Sequence, residues 1–192
     1  MHDKLLSLAA AAIICLFVSG CQTPAPGGFT VPPGTTNLVT NVSGFSFPPK
    51  VGDFVRVGAT KYDPAGYNVS VKYEAGKLVV LDVYDYPAAT SLATEVQNRK
   101  AEIKLLHPDA RVASETPVTI RPGNHAHQGT KVTFFFSQNF RSDIKGPYKS
   151  QLLLFKDKNR FIKFRATYPR EHIERAEAIT SQFVNSLVWP AN

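Results

Sequence analysis

Apolar and polar positions alternate most cleanly in three stretches of the chain. Val69, Val71 and Tyr73 alternate with Asn68, Ser70 and Lys72, the two-residue period of a half-buried strand. Ile162, Phe164 and Ala166 oppose Lys163, Arg165 and Thr167 in the same way. In residues 129–137, Val132, Phe134 and Phe136 share a face and Phe135 lies opposite, so both faces of that strand have apolar cover to seek. Residues 78–84 are nearly continuous Val and Leu and read as a more central strand. Further strands are expected at 51–57 and 148–155, the latter paired with 160–168 through the turn Lys156-Asp157-Lys158-Asn159. Residues 111–121 carry Pro117 and read as an irregular or edge strand.

Two stretches change to a helical period. Residues 88–106 set Ala89, Leu92, Ala93, Val96, Ile103 and Leu106 on one stripe, interrupted by Arg99 and Lys100. Thr90 or Ser91 serves as the cap, and His107-Pro108-Asp109 as the stop. After Pro169, the residues Ile173, Ala176, Ile179, Phe183 and Leu187 form a second stripe that ends before Trp189-Pro190. Strands, a helix, hairpin-linked strands and a second helix give an α+β class: a mainly antiparallel β-sheet with two principal helices packed on it.

The N-terminal part follows a different pattern. Residues 5–18 are apolar apart from Ser7, a run shorter than the roughly 20 residues of a spanning helix and suited to a secretory signal. Val18-Ser19-Gly20-Cys21 closes that run and resembles a bacterial lipobox, in which the cysteine is lipidated and becomes the first mature residue. The charge of the leading residues adds little to this reading, since Asp3 offsets Lys4. Residues 22–41 are rich in Pro, Gly and Thr and read as a tether. The expected division is a signal at 1–20, a tether at 21–43 and one domain at 44–190. Cys15 leaves with the signal and Cys21 carries lipid, so the domain holds no disulfide, thiolate metal site or cysteine nucleophile. The expected location is the cell envelope, lipid-anchored at the outer membrane and facing the periplasm.

Charge narrows the partners. The chain has 22 Lys and Arg against 15 Asp and Glu, a net charge of +7. This bias suits an envelope protein or an anionic polymer, and export argues against nucleic acid. Cations are densest between Arg141 and Arg165. Lys163 and Arg165, with Lys149 near them, are the candidate anionic-surface residues; the alternative is a solvated face that discourages sheet-to-sheet aggregation.

Candidate catalytic chemistry is sparse. His125-Ala126-His127 offers two imidazoles for a metal without a third local ligand, so no metal or other cofactor is expected. Asp82 and Asp85, three apart on a strand, point to opposite faces and read as turn or surface carboxylates. No Gly-x-Ser-x-Gly or phosphate-cradling glycine loop is present.

Phe45-Ser46-Phe47-Pro48 ahead of the first strand, the hairpin 151–168 running into Tyr168-Pro169, and the ending Phe183-Val184-Asn185-Ser186-Leu187-Val188-Trp189-Pro190 together resemble the Mog1/PsbP-like α/β/α sandwich group. The resemblance spans roughly residues 45–190. Members of that group are mostly adaptor or assembly proteins, which implies a non-enzymatic binding or assembly domain and names no partner. The alternatives are a periplasmic hydrolase or metal-dependent enzyme, and a structural or stress-related surface lipoprotein.

Overall fold

The computed structural model describes residues 29–31, 37–39, 43–122, 125–137, 140–141, 143 and 146–189. The signal, the lipobox and its Cys21 lie outside the described residues. The order of elements is β1 (Phe29–Val31), β2 (Leu38–Val39), β3 (Ser46–Phe47), β4 (Lys50–Val51), β5 (Phe54–Lys61), β6 (Val69–Ala75) and β7 (Val79–Pro87). Helix α1 (Leu92–Leu106) follows, then β8 (Arg111–Ile120), β9 (His127–Phe136), β10 (Tyr148–Asp157), β11 (Arg160–Pro169), a 3₁₀ turn at Arg170–His172 and helix α2 (Ile173–Ser186).

The main sheet runs β1-β5-β6-β7-β11-β10-β9-β8, with β4 also on β5 and every pair antiparallel. Helix α1 carries the chain from β7 to the far edge, and three hairpin steps bring it back until β11 closes against β7. The register places Lys163 opposite Tyr84 and Arg165 opposite Asp82, so those four share one side of the sheet.

Each side has its own apolar core. Toward α2, Val71, Tyr73, Leu81, Val83, Ile162, Phe164 and Ala166 meet Ala176, Phe183 and Val184 of the helix, together with Phe45, Phe47 and Trp189. Toward α1, Val80, Val132, Phe134, Leu152, Leu154 and Phe161 meet Val96 and Ile103. One helix on each side of an antiparallel sheet is the expected α+β sandwich. Among the described residues, no helix is long and apolar enough to cross a membrane.

Helix α1 starts at Leu92 rather than Ala88, because Ser91 caps it with its Oγ accepting from the Thr94 N–H at 3.1 Å. Its buried face is partly polar. Glu95 accepts from Tyr86 Oη at 2.8 Å and from Arg99 Nε at 2.7 Å, which explains why Arg99 interrupts the apolar stripe. The Glu95 carboxyl is held below the usual carboxylate range by the Tyr86 and Arg99 bonds, against the upward pull of its burial.

The stretch expected as tether is partly built into the fold. Phe29–Val31 pairs with Lys61–Ala59 of β5, and Leu38–Val39 pairs with Phe47–Ser46. The open edge of β5 supplies backbone partners that need no side-chain periodicity, so composition alone hides the pairing. The segment that follows lies over the α2-side core. Arg56 Nη1 donates to the Phe47 carbonyl and Tyr73 Oη to the Pro48 carbonyl, each at 2.7 Å, and the Ser43 hydroxyl donates to Asp85.

Candidate functional site

The hairpin cations do not form one surface. Lys149 pairs in register with Tyr168 and faces α2, where it bonds Glu177 and lies over the Phe135 ring. Lys163 and Arg165 are on the opposite side, under the reach of α1. Lys163 is only 4% exposed, with its Nζ 3.8 Å from the centroid of Tyr84. Burial pulls its amine down to about 8, with Arg99 and Arg165 adding to that pull and Glu102 and Asp82 opposing it. Arg165 reaches toward Ser150 Oγ at 3.5 Å and stands across from Asp82, whose carboxyl is pushed up by its own burial. The expectation of a shared anionic-binding face at Lys149, Lys163 and Arg165 is therefore corrected. Cross-strand parity puts Lys149 on the other side of the sheet, and burial removes Lys163 from a surface role.

Other cations of this region are also engaged. Arg160 Nε pairs with Asp85 at 2.5 Å, Arg141 pairs with Glu74 and Asp143, and Lys156 donates to the Thr90 carbonyl at 3.1 Å. Asp85 is fully buried in its pair, which corrects its reading as a turn or surface carboxylate. Asp82 does lie on the opposite face from Asp85, as its spacing requires.

The histidines have different surroundings. His127 is buried with its ring 4.2 Å from that of Trp189, and desolvation lowers its pKa. His125 is exposed. Among the described residues, no three His, Cys, Asp or Glu side chains converge on a metal position.

Three exposed cations without a partner among the described residues lie together at the other end of the sheet. The β4–β5 turn, with Gly52 at φ +56°, and the β6–β7 turn, with Gly76 at φ +55°, project beside the start of α2. Both glycines adopt the left-handed backbone that side chains disfavour. Between these turns and the helix is a cleft of about 550 Å³, lined by Lys50, Asp53, Lys77, His172 and Arg175 over an apolar base of Val55, Leu78 and Ile179. Lys50, Lys77 and Arg175 make no ion pair or side-chain hydrogen bond to other described residues. His172 stands 3.4 Å from its neighbour Glu171. Three cations face one carboxylate, and the start of α2 adds its partial positive charge. Such a cleft can hold an anion beside an apolar surface. Sequence reading does not isolate it, because Lys50, Lys77 and Arg175 are single residues in distant segments that only the topology brings together.

A smaller cleft of about 230 Å³ runs between α2 and strands β8–β10. Its one carboxylate, Glu177, is already taken by Lys149, Gln151 and Tyr168.

No protein-family model and no curated protein matches the chain. Among solved structures it is similar to PA94, a protein of unknown function from Pseudomonas aeruginosa. They share 10% identity at a TM-score of 0.47, over 82% of this chain and 98% of that one. It is also similar to cyanobacterial PsbP (CyanoP) from Synechocystis, at 10% identity and a TM-score of 0.46, over 88% of this chain and 95% of that one.

Proposed function

We propose that this chain is a lipid-anchored, non-enzymatic binding module of the bacterial cell envelope, and that it engages an anionic envelope component through the cleft between the β4–β5 turn, the β6–β7 turn and α2. The observation that carries the reading is the set Lys50, Lys77 and Arg175. Their charges are open to a ligand, whereas Lys149, Lys156 and Arg160 of the β10–β11 hairpin are bonded within the fold. Exposed cations without internal partners cost little to hold and are free to attract counter-charge. The anchor rests on Cys21 and the apolar run before it.

Two measurements test the reading. Cys21→Ala should move the protein from the membrane fraction to the soluble fraction; retention in the membrane would remove the anchor. Reversing Lys50, Lys77 and Arg175 to Glu should abolish co-sedimentation of residues 22–192 with isolated anionic envelope polymer. Unchanged sedimentation would remove the cleft from the function.

A further inference from the structure

Helix α2 packs on β11 and covers only part of its side of the sheet. Its flank at Glu177, Thr180, Ser181, Val184 and Asn185, positions three and four apart on one helical face, borders the 230 Å³ cleft over β8–β10. Val118, Ile120, Leu153 and Val184 give the cleft apolar walls. At one end the Arg121 N–H donates to Asn185 Oδ1 at 3.3 Å and ties the strand to the helix. Two polar groups of the lining have no use within the fold. Lys131 stands in register with Leu153 of β10 and Thr116 of β8, which puts it, half-buried, on the α2 side. It makes no ion pair or side-chain hydrogen bond to other described residues. Thr180 is 1% exposed and its hydroxyl has no hydrogen-bond partner among the described residues, not even the carbonyl one turn earlier to which a helical Thr commonly donates. A buried hydroxyl left unbonded is a cost that a valine of the same shape would avoid.

The lining also sets the ligand's charge and size. Glu177 is paired with Lys149, so Lys131 leaves the cleft with one unanswered positive charge. A volume of 230 Å³ is below the roughly 300–1,000 Å³ of drug-sized pockets and equals about eight waters at ~30 Å³ each, room for a short chain and not for a polymer or a lipid. We propose that this cleft is a second binding site, one for a small monocarboxylate. The apolar tail lies between Val118, Ile120, Leu153 and Val184, and the carboxylate accepts from the Lys131 ammonium and the Thr180 hydroxyl. The single charge matches a carboxylate, whereas a multiply charged anion would exceed what the lining offers. This site is separate from the Lys50, Lys77 and Arg175 cleft and does not depend on it.

Hexanoate is the probe, with hexanol and hexylamine as controls of the same chain length. Each is titrated at neutral pH into methyl-labelled residues 22–192, which contain every described element, and followed by NMR. Hexanoate should give saturable shifts at the methyls of Val118, Ile120, Leu153 and Val184 and bind about five-fold more tightly than hexanol, with hexylamine the weakest. Lys131→Met should abolish the preference for hexanoate over hexanol. Thr180→Val should weaken both by about three-fold without lowering the thermal midpoint of the unliganded domain. Lys50→Glu with Arg175→Glu should leave every one of these shifts unchanged, which separates this site from the other cleft. Absence of saturable shifts at the four residues, equal binding of the three probes, or a preference that survives Lys131→Met would overturn the site. A lowered midpoint in Thr180→Val with hexanoate affinity intact would overturn the part given to Thr180, whose hydroxyl would then serve the fold.

Discussion

Lys163 supplies a measurable consequence of placing charge under α1. The residue is 4% exposed, and burial lowers its pKa from 10.5 to about 8. Below pH 8 the lysine is charged in both the folded and unfolded chain, and the folded state bears the cost of burying that charge. Between pH 8 and 10 the folded chain has released the proton while the unfolded chain still holds it. The unfolded state then binds more protons, so stability rises with pH. Two pH units at about 1.4 kcal/mol each give a rise of about 2–3 kcal/mol. Above pH 10 the trend reverses, because Tyr73, Tyr84, Tyr86 and Tyr168 all have pKa values raised by burial and resist the ionisation that the unfolded chain allows. Lys163→Met keeps the length and apolar stem of the side chain and removes the titrating group. Urea unfolding followed by Trp189 fluorescence at pH 7, 8, 9 and 10 should show the wild type gaining about 2–3 kcal/mol relative to Lys163→Met across this window, with the shared tyrosines lowering both profiles as pH 10 is reached. The variant should also be the more stable of the two at pH 7. A wild-type profile parallel to that of the variant would refute the argument, since Lys163 would then titrate as an exposed lysine does.

Three other substitutions probe the main sheet. Asp85→Ala leaves Arg160 buried without its carboxylate and releases the Ser43 hydroxyl, with an expected loss of about 3–5 kcal/mol in denaturant unfolding. Gly129→Ala drives a Cβ into the Leu154 carbonyl and the Phe155 ring, and should cost about 1–3 kcal/mol by thermal or urea unfolding. Pro117 stands in the middle of the long, exposed edge strand β8, where a residue without an N–H interrupts pairing with another strand. Pro117→Val should raise concentration-dependent self-association in sedimentation velocity with little change in stability; an unchanged sedimentation profile would show that the bulge near Val112 protects the edge by itself.

The parts of this fold that sequence makes visible are those in which one element determines its own pattern. The α2 stripe is read correctly because Ala176 and Phe183 repeat at helical spacing against the apolar centre of that face of the sheet, with Lys149 and Gln151 meeting Glu177 beside it. The start of α1 is harder to place, since Glu95 and Arg99 occupy its buried side, and a polar pair there resembles a solvent face until Tyr86 is known to meet it. Lys149 is a different kind of error. Facing residues of a hairpin share a side, so pairing Leu154 with Lys163 already puts Lys149 on the other one. The burial of Lys163 depends on where α1 lands, which no local pattern reveals. The cleft depends on still more, because two turns and a helix start from separate parts of the chain must converge before its cations become neighbours.

This separation between satisfied and open cations has a thermodynamic signature. Arg160 and Asp85 are held inside the fold, and Glu95 and Arg99 pair where little solvent reaches them, so mobile ions screen them weakly. Lys50, Lys77 and Arg175 are exposed, and a polyanion bound to them releases its own counterions. Raising salt from 0.05 to 0.5 M shortens the screening length from about 14 to about 4 Å. Affinity for the anionic envelope polymer should then fall by at least an order of magnitude, while the urea midpoint of the unliganded domain shifts little. Titrations and unfolding curves on one preparation at both salt concentrations decide the matter. If affinity and stability fell together, the charges that bind would be the charges that hold the fold, and the division between hairpin and cleft would not stand. If stability held while affinity dropped, and Lys50→Glu with Arg175→Glu removed the salt dependence, the net charge of +7 would owe its function to the few cations the fold leaves unpaired at its cleft.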